Sequence, residues 1–184
     1  MNLQTLCLIE IGGIEYMANA KVAFTWPSGL GFENLPFGPS LVGELERLLR
    51  RTKQRIDILF YNINSSQEFV LSKTIHDLMV ERDIELNIFC DKRSEGKRII
   101  DTFQTQFSIP KGWYWNDQEN AMSKFHIKAI IVDQRHIYLG SANMSQVAMK
   151  SSAECGLFLS STEISQQLLQ YVELLIENKY LVLI

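Results

Sequence analysis

The chain has 184 residues, 46% of them hydrophobic and 21% charged, a composition typical of one soluble globular domain with a substantial core. Its net charge is −3, so it lacks the overall basic footprint that strong nucleic-acid binders show. The three cysteines have no paired spacing, which argues against a disulfide framework and favours a reducing, cytoplasmic location.

The first residues show little of the pattern that would indicate how they pack in a domain. We expect residues 1–19 to form an N-terminal extension whose packing the pattern does not define, and residues 20–184 to form a single domain. The apolar stretch at residues 3–14 lacks a basic n-region and is interrupted by Glu10. It is also too short to span a bilayer, so we expect neither a secretory signal nor a membrane partner.

Residues 20–115 alternate between predicted strands and predicted helices. Short runs of β-branched and aromatic residues predict the strands, and apolar residues recurring at helical spacing predict the helices. A loop rich in Gly and Pro, 27–39, separates the first strand from the first helix. The predicted strands are 21–26, 56–61, 84–90 and 113–115. The predicted helices are 41–49, 70–79 and 99–107.

A further strand, predicted at residues 125–132, carries a histidine and a lysine in an apolar run. Because side chains alternate along a strand, His126 and Lys128 project to the same side, about 6–7 Å apart. The polar residues 133–136 predict a turn into another strand at 137–139. Asp133 has the opposite parity to His126, which indicates a structural or electrostatic role at the strand end rather than proton transfer.

Small and hydrogen-bonding residues follow, at Gly140, Ser141 and Asn143. Glycine lets the backbone approach a ligand closely, and the other two residues supply donors beside the histidine and lysine. One imidazole, one cation and several neutral donors are the groups needed to attack a phosphodiester without a metal. A second histidine is wanted as general acid, but His76 and His136 both lack a lysine two residues later.

The last predicted elements are a strand at 153–159 and an amphipathic helix at 164–176. Ser160 and Glu163 have the spacing of a capping box at the start of that helix. The alternation of strands and helices along the chain predicts an α/β fold. We expect a mixed, largely parallel β-sheet flanked by helices on both faces.

The pattern His126-x-Lys128-x-x-x-x-Asp133, with the Gly-Ser-x-Asn segment that begins at Gly140, resembles the signature of the phospholipase D superfamily. This resemblance covers the core of residues 20–180 and implies the phospholipase D-like fold. Most members of the family carry two such motifs in one chain. A chain with one motif resembles the small bacterial endonucleases of the family, which bring two copies together as a homodimer.

The resemblance also implies roles for individual residues. His126 of one protomer would attack phosphorus and the partner's His126 would protonate the leaving oxygen, without a metal or other cofactor. Glu154 stands where the family has a glutamate that orients the nucleophilic histidine, whereas Ser152 stands where the family often has asparagine. The implied catalytic residues are His126, Lys128, Asp133, Ser141, Asn143 and Glu154.

These features predict a phosphodiesterase: a metal-independent endonuclease that cleaves nucleic acid, DNA in preference to RNA, through a phosphohistidine intermediate in a homodimeric active site. Basic residues cluster at 50–55 and at 92–98. The first cluster is interpreted as a solvated helix end, and the second could gather around a cleft shared by two protomers. The predicted substrate-binding residues are Lys128, Ser141, Asn143, Lys92 and Arg93.

Two other functions remain open. A phospholipase D-type lipid hydrolase would need an interfacial apolar or basic amphipathic surface, which the sequence does not show. A partner-dependent or non-catalytic subunit of a larger assembly would fit the acidic balance. Residues 139–145 resemble the corresponding segment of phospholipase D-like components of bacterial anti-phage systems, so antiviral defence is one form of this alternative. The complete catalytic set argues against an inactive scaffold.

Overall fold

The computed structural model describes residues 5–11, 14–25, 39–62, 71–91, 100–101, 111–116 and 123–184. The described strands are β1 (Thr5–Ile11), β2 (Ile14–Thr25), β3 (Arg55–Phe60), β4 (Glu85–Cys90), β5 (Lys111–Trp115), β6 (Lys128–Val132), β7 (His136–Gly140), β8 (Glu154–Ser160) and β9 (Leu181–Leu183). The described helices are α1 (Leu41–Arg50), α2 (Ser72–Glu81), α3 (Gln146–Lys150) and α4 (Thr162–Glu177). These strands form one sheet in the order β1-β2-β8-β7-β6-β3-β4-β5-β9.

Helices cover both faces of this sheet, as predicted. One face packs against α1, α2 and α3 in a core that includes Ile58 and Tyr138. The other packs against α4 through residues such as Leu59 and Ile131. Ile58 and Leu59 are neighbours yet enter different cores, because successive side chains of a strand point to opposite faces. Each such fully buried aliphatic side chain stabilises the fold by about 1.5–3 kcal/mol.

The α/β class and the mixed sheet are confirmed, but the pairing is mostly antiparallel rather than largely parallel. Six of the eight pairings between described strands are antiparallel, and the parallel ones join β3, β4 and β5. A tight turn accounts for one antiparallel pair. Asp133 and Gln134 have φ of 49° and 52°, and the Arg135 N–H donates to the Val132 carbonyl, so β6 returns directly as β7.

Several boundaries of elements in the structure differ from the predicted ones. β2 runs unbroken across residue 19 and pairs with β8, so the expected division between residues 19 and 20 falls inside a strand of the sheet. The predicted strand 125–132 is regular only from Lys128. The helix cap is Ser161, not Ser160: the Ser161 hydroxyl accepts from the Ile164 N–H at 3.2 Å. Of the predicted helix 99–107, only residues 100–101 are described, and they are helical.

None of the described helices is long and apolar enough to cross a membrane. Most of the described candidate site residues, all except Asp133, lie at one edge of the sheet. There the parallel strands β3, β4 and β5 end, β6 and β8 begin, and β7 ends. The register pairs Ala129 with Leu139 and Gly140 with Gly156, so the residue before Ala129 and the residues after Leu139 lie at this edge together with the start of β8.

Candidate active site

His126 and Lys128 lie side by side at the start of β6. The Lys128 Nζ is 3.3 Å from Nδ1 and 3.5 Å from Nε2 of the His126 ring. His126 is exposed and Lys128 is half-buried. The predicted geometry, with both groups on one side of the chain, is therefore present, and solvent reaches the imidazole.

Two residues that sequence reasoning missed frame this pair. The Tyr61 ring lies 4.5 Å from the His126 ring, centre to centre. The Lys124 and Lys128 ammonium groups lie 5.9 and 5.8 Å from the centre of the Tyr61 ring, within cation–π range. Asp91 is buried and accepts a hydrogen bond from the Phe125 N–H at 3.3 Å. Tyr61 ends one predicted strand and Asp91 follows another. Their position at strand ends was the one sequence feature that could have indicated a place in the site.

The surroundings of His126 lower its pKa below the ordinary imidazole value. Partial desolvation of the exposed ring is the largest cause, followed by the charges of Lys128 and Lys124, while Asp91 opposes the shift. Burial also lowers the pKa of Lys128, and the charge of Glu154 opposes this. The lowered pKa favours the neutral imidazole, which has a ring nitrogen whose lone pair is free of a proton, beside an ammonium group.

Ser141 and Glu154 meet where β7 ends and β8 begins. The Ser141 hydroxyl donates to the Glu154 carboxylate, and the Ser141 Oγ accepts from the Cys155 N–H at 3.2 Å. The Ser141 N–H in turn donates to the Cys155 carbonyl at 3.1 Å. Glu154 therefore has Ser141 as its hydrogen-bond partner among the described residues, and it acts on the Lys128 ammonium through its charge.

Glycine is required beside this pair because the Tyr138 ring fills the space above the backbone. A Cβ at Gly140 would lie 2.3 Å from the Tyr138 hydroxyl, and one at Gly156 would lie 2.2 Å from the Tyr138 ring. Such distances are far inside van der Waals contact. The close approach of chain and ring, rather than approach of a ligand, explains both glycines.

Asn143 lies near the end of β3, because the following N–H, of Met144, donates to the Asn62 carbonyl at 3.2 Å. The Asn143 Oδ1 is buried without a hydrogen-bond partner in the described part of the chain. A buried amide oxygen that lacks a donor is costly, so a donor from a bound group would be favourable there.

The remaining predicted residues lie elsewhere. Asp133 follows the last residue of β6, about 16 Å of strand away from Lys128. Its carboxylate accepts from three backbone N–H groups, those of Lys53, Gln54 and Arg55, at 3.0, 2.9 and 3.0 Å. Lys92 and Arg93 lie outside the described residues. Within the described ranges, no three His, Cys, Asp or Glu side chains are grouped to hold a metal ion.

Comparisons with known proteins bear on this site. A family model described as "Cardiolipin synthase, PLD-like domain" matches residues 45–176. The chain is 31% identical over 116 residues to Phospholipase D alpha 4 of Arabidopsis thaliana, and this match spans 62% of the chain but 14% of that relative.

Two solved structures share the fold. NucT from Helicobacter pylori matches with a TM-score of 0.64 and 17% identity, over 90% of this chain and 98% of its own. Phosphatidylserine synthase from Haemophilus influenzae matches with a TM-score of 0.65 and 17% identity, over 91% of this chain and 40% of its own. At these identities the similarity concerns the fold and not the substrate.

Proposed function

This chain belongs to the phospholipase D superfamily, and we propose that it hydrolyses phosphodiester bonds of nucleic acid through a covalent phosphohistidine intermediate. The observation that carries the proposal is the pairing of His126 with Lys128, whose side-chain nitrogens approach to 3.3 Å at an exposed strand end. The lowered pKa of His126 supports the same role, because only a neutral imidazole can act as the nucleophile.

The proposed reaction has two displacements at phosphorus. In the first, a ring nitrogen of His126 donates its lone pair to phosphorus, and the bond to the leaving oxygen breaks as that oxygen takes a proton from a general acid. In the second, water attacks phosphorus while the deprotonated general acid takes a proton from that water, and the phosphorus–nitrogen bond breaks, which restores both the imidazole and the general acid. Lys128 neutralises charge on the non-bridging oxygens, and one well-placed group of this kind contributes about 10²–10³ in rate.

A second copy of the chain would supply the general acid. The chain has three histidines, and the other two lie away from this edge. His76 is exposed on α2, and His136 begins β7 at the end opposite Gly140. We therefore propose a homodimer in which the partner's His126 protonates the leaving oxygen. The exposure of the ring supports this arrangement, since a buried ring could not face its counterpart.

The single motif supports nucleic acid as the substrate, because a chain with one such motif resembles the small endonucleases of the family. Among the solved structures, NucT is matched over 98% of its own chain and phosphatidylserine synthase over 40%. We propose DNA before RNA as the substrate. We propose the cytoplasm as the location, because the three cysteines show no paired spacing, as is usual in a reducing compartment.

The experiment is cleavage of single- and double-stranded DNA and RNA by the purified chain in excess EDTA. We expect cutting to persist in the chelator and to be lost in His126→Ala. His76→Ala is the matched control, because it removes the same side chain from an exposed helix position and should keep activity. Cutting that EDTA abolishes would reject the mechanism, and full activity in His126→Ala would reject the nucleophile.

Lipid phosphodiester hydrolysis is the second candidate, favoured by the description of the matching family model and by the similarity to phosphatidylserine synthase. Phosphatidylcholine vesicles provide the direct comparison. Release of headgroup with no nuclease activity would replace the first candidate by the second. Turnover of neither substrate, together with stable capture of the chain in a larger complex, would favour a partner-dependent subunit, such as one of an antiviral defence system.

A further inference from the structure

A second polar site lies at the edge of the sheet opposite His126. Two adjoining cavities open there, an inner one of about 90 Å³ and a wider one of about 590 Å³, and Arg51 and His136 line both. We call the two cavities together the basic recess. Since His136 and Gly140 mark the two ends of β7, about 13 Å of strand separates the recess from the catalytic edge.

The recess is basic although the chain is acidic overall. Five basic and two acidic side chains line the two cavities, a formal balance of +3 in a chain whose net charge is −3. Both acidic groups already have partners. The Glu44 carboxylate is bridged by Lys21 and Arg47, and the Asp133 carboxylate accepts from the three backbone N–H groups of residues 53–55.

Three of the basic side chains have no such partner among the residues that the structure describes. Arg51, Lys53 and Arg135 form no ion pair with any described acidic residue. Arg51 caps α1 through its backbone N–H, which donates to the Leu48 carbonyl at 3.2 Å, so the cap does not use its guanidinium group. Unpaired cations that converge on one cavity repel one another, so an anion between them would relieve that repulsion.

His136 completes the lining. Its ring is half-buried, and Nδ1 lies 2.8 Å from the Ser160 hydroxyl. When that hydroxyl donates, the neutral ring carries its proton on Nε2 and can donate to a ligand in the recess. Burial lowers the pKa of His136, as do the charges of Arg51 and Arg135, whereas Asp133 opposes the shift. The two guanidinium groups therefore lie close enough to act on this ring.

We propose that the basic recess binds a phosphate group, carried either by a free polyphosphate or by a nucleic-acid backbone. Guanidinium forks match phosphate oxygens in two-point hydrogen bonding. The inner cavity has the volume of about three water molecules, enough for one tetrahedral anion. The site does not depend on the proposed hydrolysis, because neither His126 nor Lys128 lines it, and Asp133, which does, is occupied by three backbone N–H groups.

The test follows the His136 ring by NMR while sodium pyrophosphate is added at constant ionic strength. The three histidine signals are assigned by comparison with His136→Asn. We expect a saturable shift of the His136 signals. In Arg51→Gln the dissociation constant should rise at least about tenfold, as expected for loss of a charge-assisted contact. Arg135→Gln should weaken binding in the same way and serves if the first variant does not fold.

Arg50→Gln is the matched control, since it removes the same charge one residue earlier from a side chain outside both cavities. The affinity of this variant for pyrophosphate should equal that of the wild type.

A second titration distinguishes the two sources of the phosphate group. It uses single-stranded oligonucleotide as the ligand and His126→Ala as the protein, to prevent cleavage. Tighter binding of oligonucleotide than of pyrophosphate assigns the site to a nucleic-acid backbone, and the reverse assigns it to a free polyphosphate.

Two outcomes would overturn the proposal. One is a His136 ring that neither ligand shifts. The other is equal weakening in Arg50→Gln and Arg51→Gln, which would show attraction to general surface charge. Neither result depends on whether the chain cleaves anything, so a failure here and a failure of the proposed function are distinguishable.

Discussion

Replacement of Asp133 separates a structural role from a catalytic one at the last position of the signature motif. Its carboxylate accepts one half-buried hydrogen bond, from Arg55, and exposed ones from Lys53 and Gln54. Loss of these charge-assisted bonds should cost about 2–3 kcal/mol, with most of the cost at the half-buried donor. In a domain of this size that corresponds to a fall in Tm of about 4–12 °C.

The backbone at Asp133 sets the choice of variants. Its φ of 49° lies in the left-handed region, which asparagine and glycine tolerate and alanine does not. Asp133→Gly removes the carboxylate without strain, Asp133→Ala adds about 1 kcal/mol of strain, and Asp133→Asn keeps one acceptor. We therefore expect stability to fall in the order wild type, Asn, Gly, Ala.

Urea unfolding measures the stability series, and EDTA-resistant cleavage per folded molecule measures activity. We expect each variant that is folded at the assay temperature to cleave at nearly the wild-type rate. A folded Asp133→Asn with wild-type stability and a hundredfold lower rate would refute the structural role and return this residue to the chemistry.

Three further predictions concern the catalytic edge. Lys128→Gln should raise the pKa of His126, because the charge of Lys128 is one of the causes that lower it. The acidic limb of the kcat/KM profile, which in the wild type lies below the ordinary imidazole value of 6.5, should therefore move to higher pH in the residual activity of the variant. A limb that does not move, or that moves to lower pH, would contradict this. Glu154→Gln and Ser141→Ala should each slow cleavage, and because they share a hydrogen bond the double variant should lose less than the product of the two effects; strict additivity in the kinetics would show that they act separately. Tyr61→Leu should lower kcat by about three- to tenfold through loss of the ring contact, whereas Tyr61→Phe should keep it, so equal losses in the two variants would rule out the ring.

The local parts of the site could be predicted because they depend on short-range geometry. The i, i+2 spacing of an extended chain predicts that His126 and Lys128 lie on one side, and they do so although the regular strand begins only at Lys128. The short polar run of residues 133–136 between two apolar runs is sufficient to indicate the turn there. Ser141 follows the end of β7 and Glu154 begins β8. These two residues are therefore neighbours once β7 pairs with β8.

The long-range parts could not be predicted from local pattern. Tyr61 reaches His126 because the Tyr61 N–H donates to the Ile127 carbonyl, and that contact joins residues far apart in sequence. The mostly antiparallel pairing was missed for the same reason, since alternation of strands and helices does not determine which strands become neighbours. The cap at Ser161 rather than Ser160 reflects two adjacent serines with equal local propensity.

The most direct test of the proposed chemistry is the detection of the covalent intermediate itself. Wild-type chain is mixed with DNA substrate in EDTA, quenched within a turnover in alkaline denaturant to preserve the phosphorus–nitrogen bond, digested and analysed by mass spectrometry. We predict a phosphoryl-linked nucleotide on the peptide that contains His126, absent from His126→Asn. Rapid cleavage with no adduct at any quench time, or with an adduct on another residue, would contradict nucleophilic attack by His126.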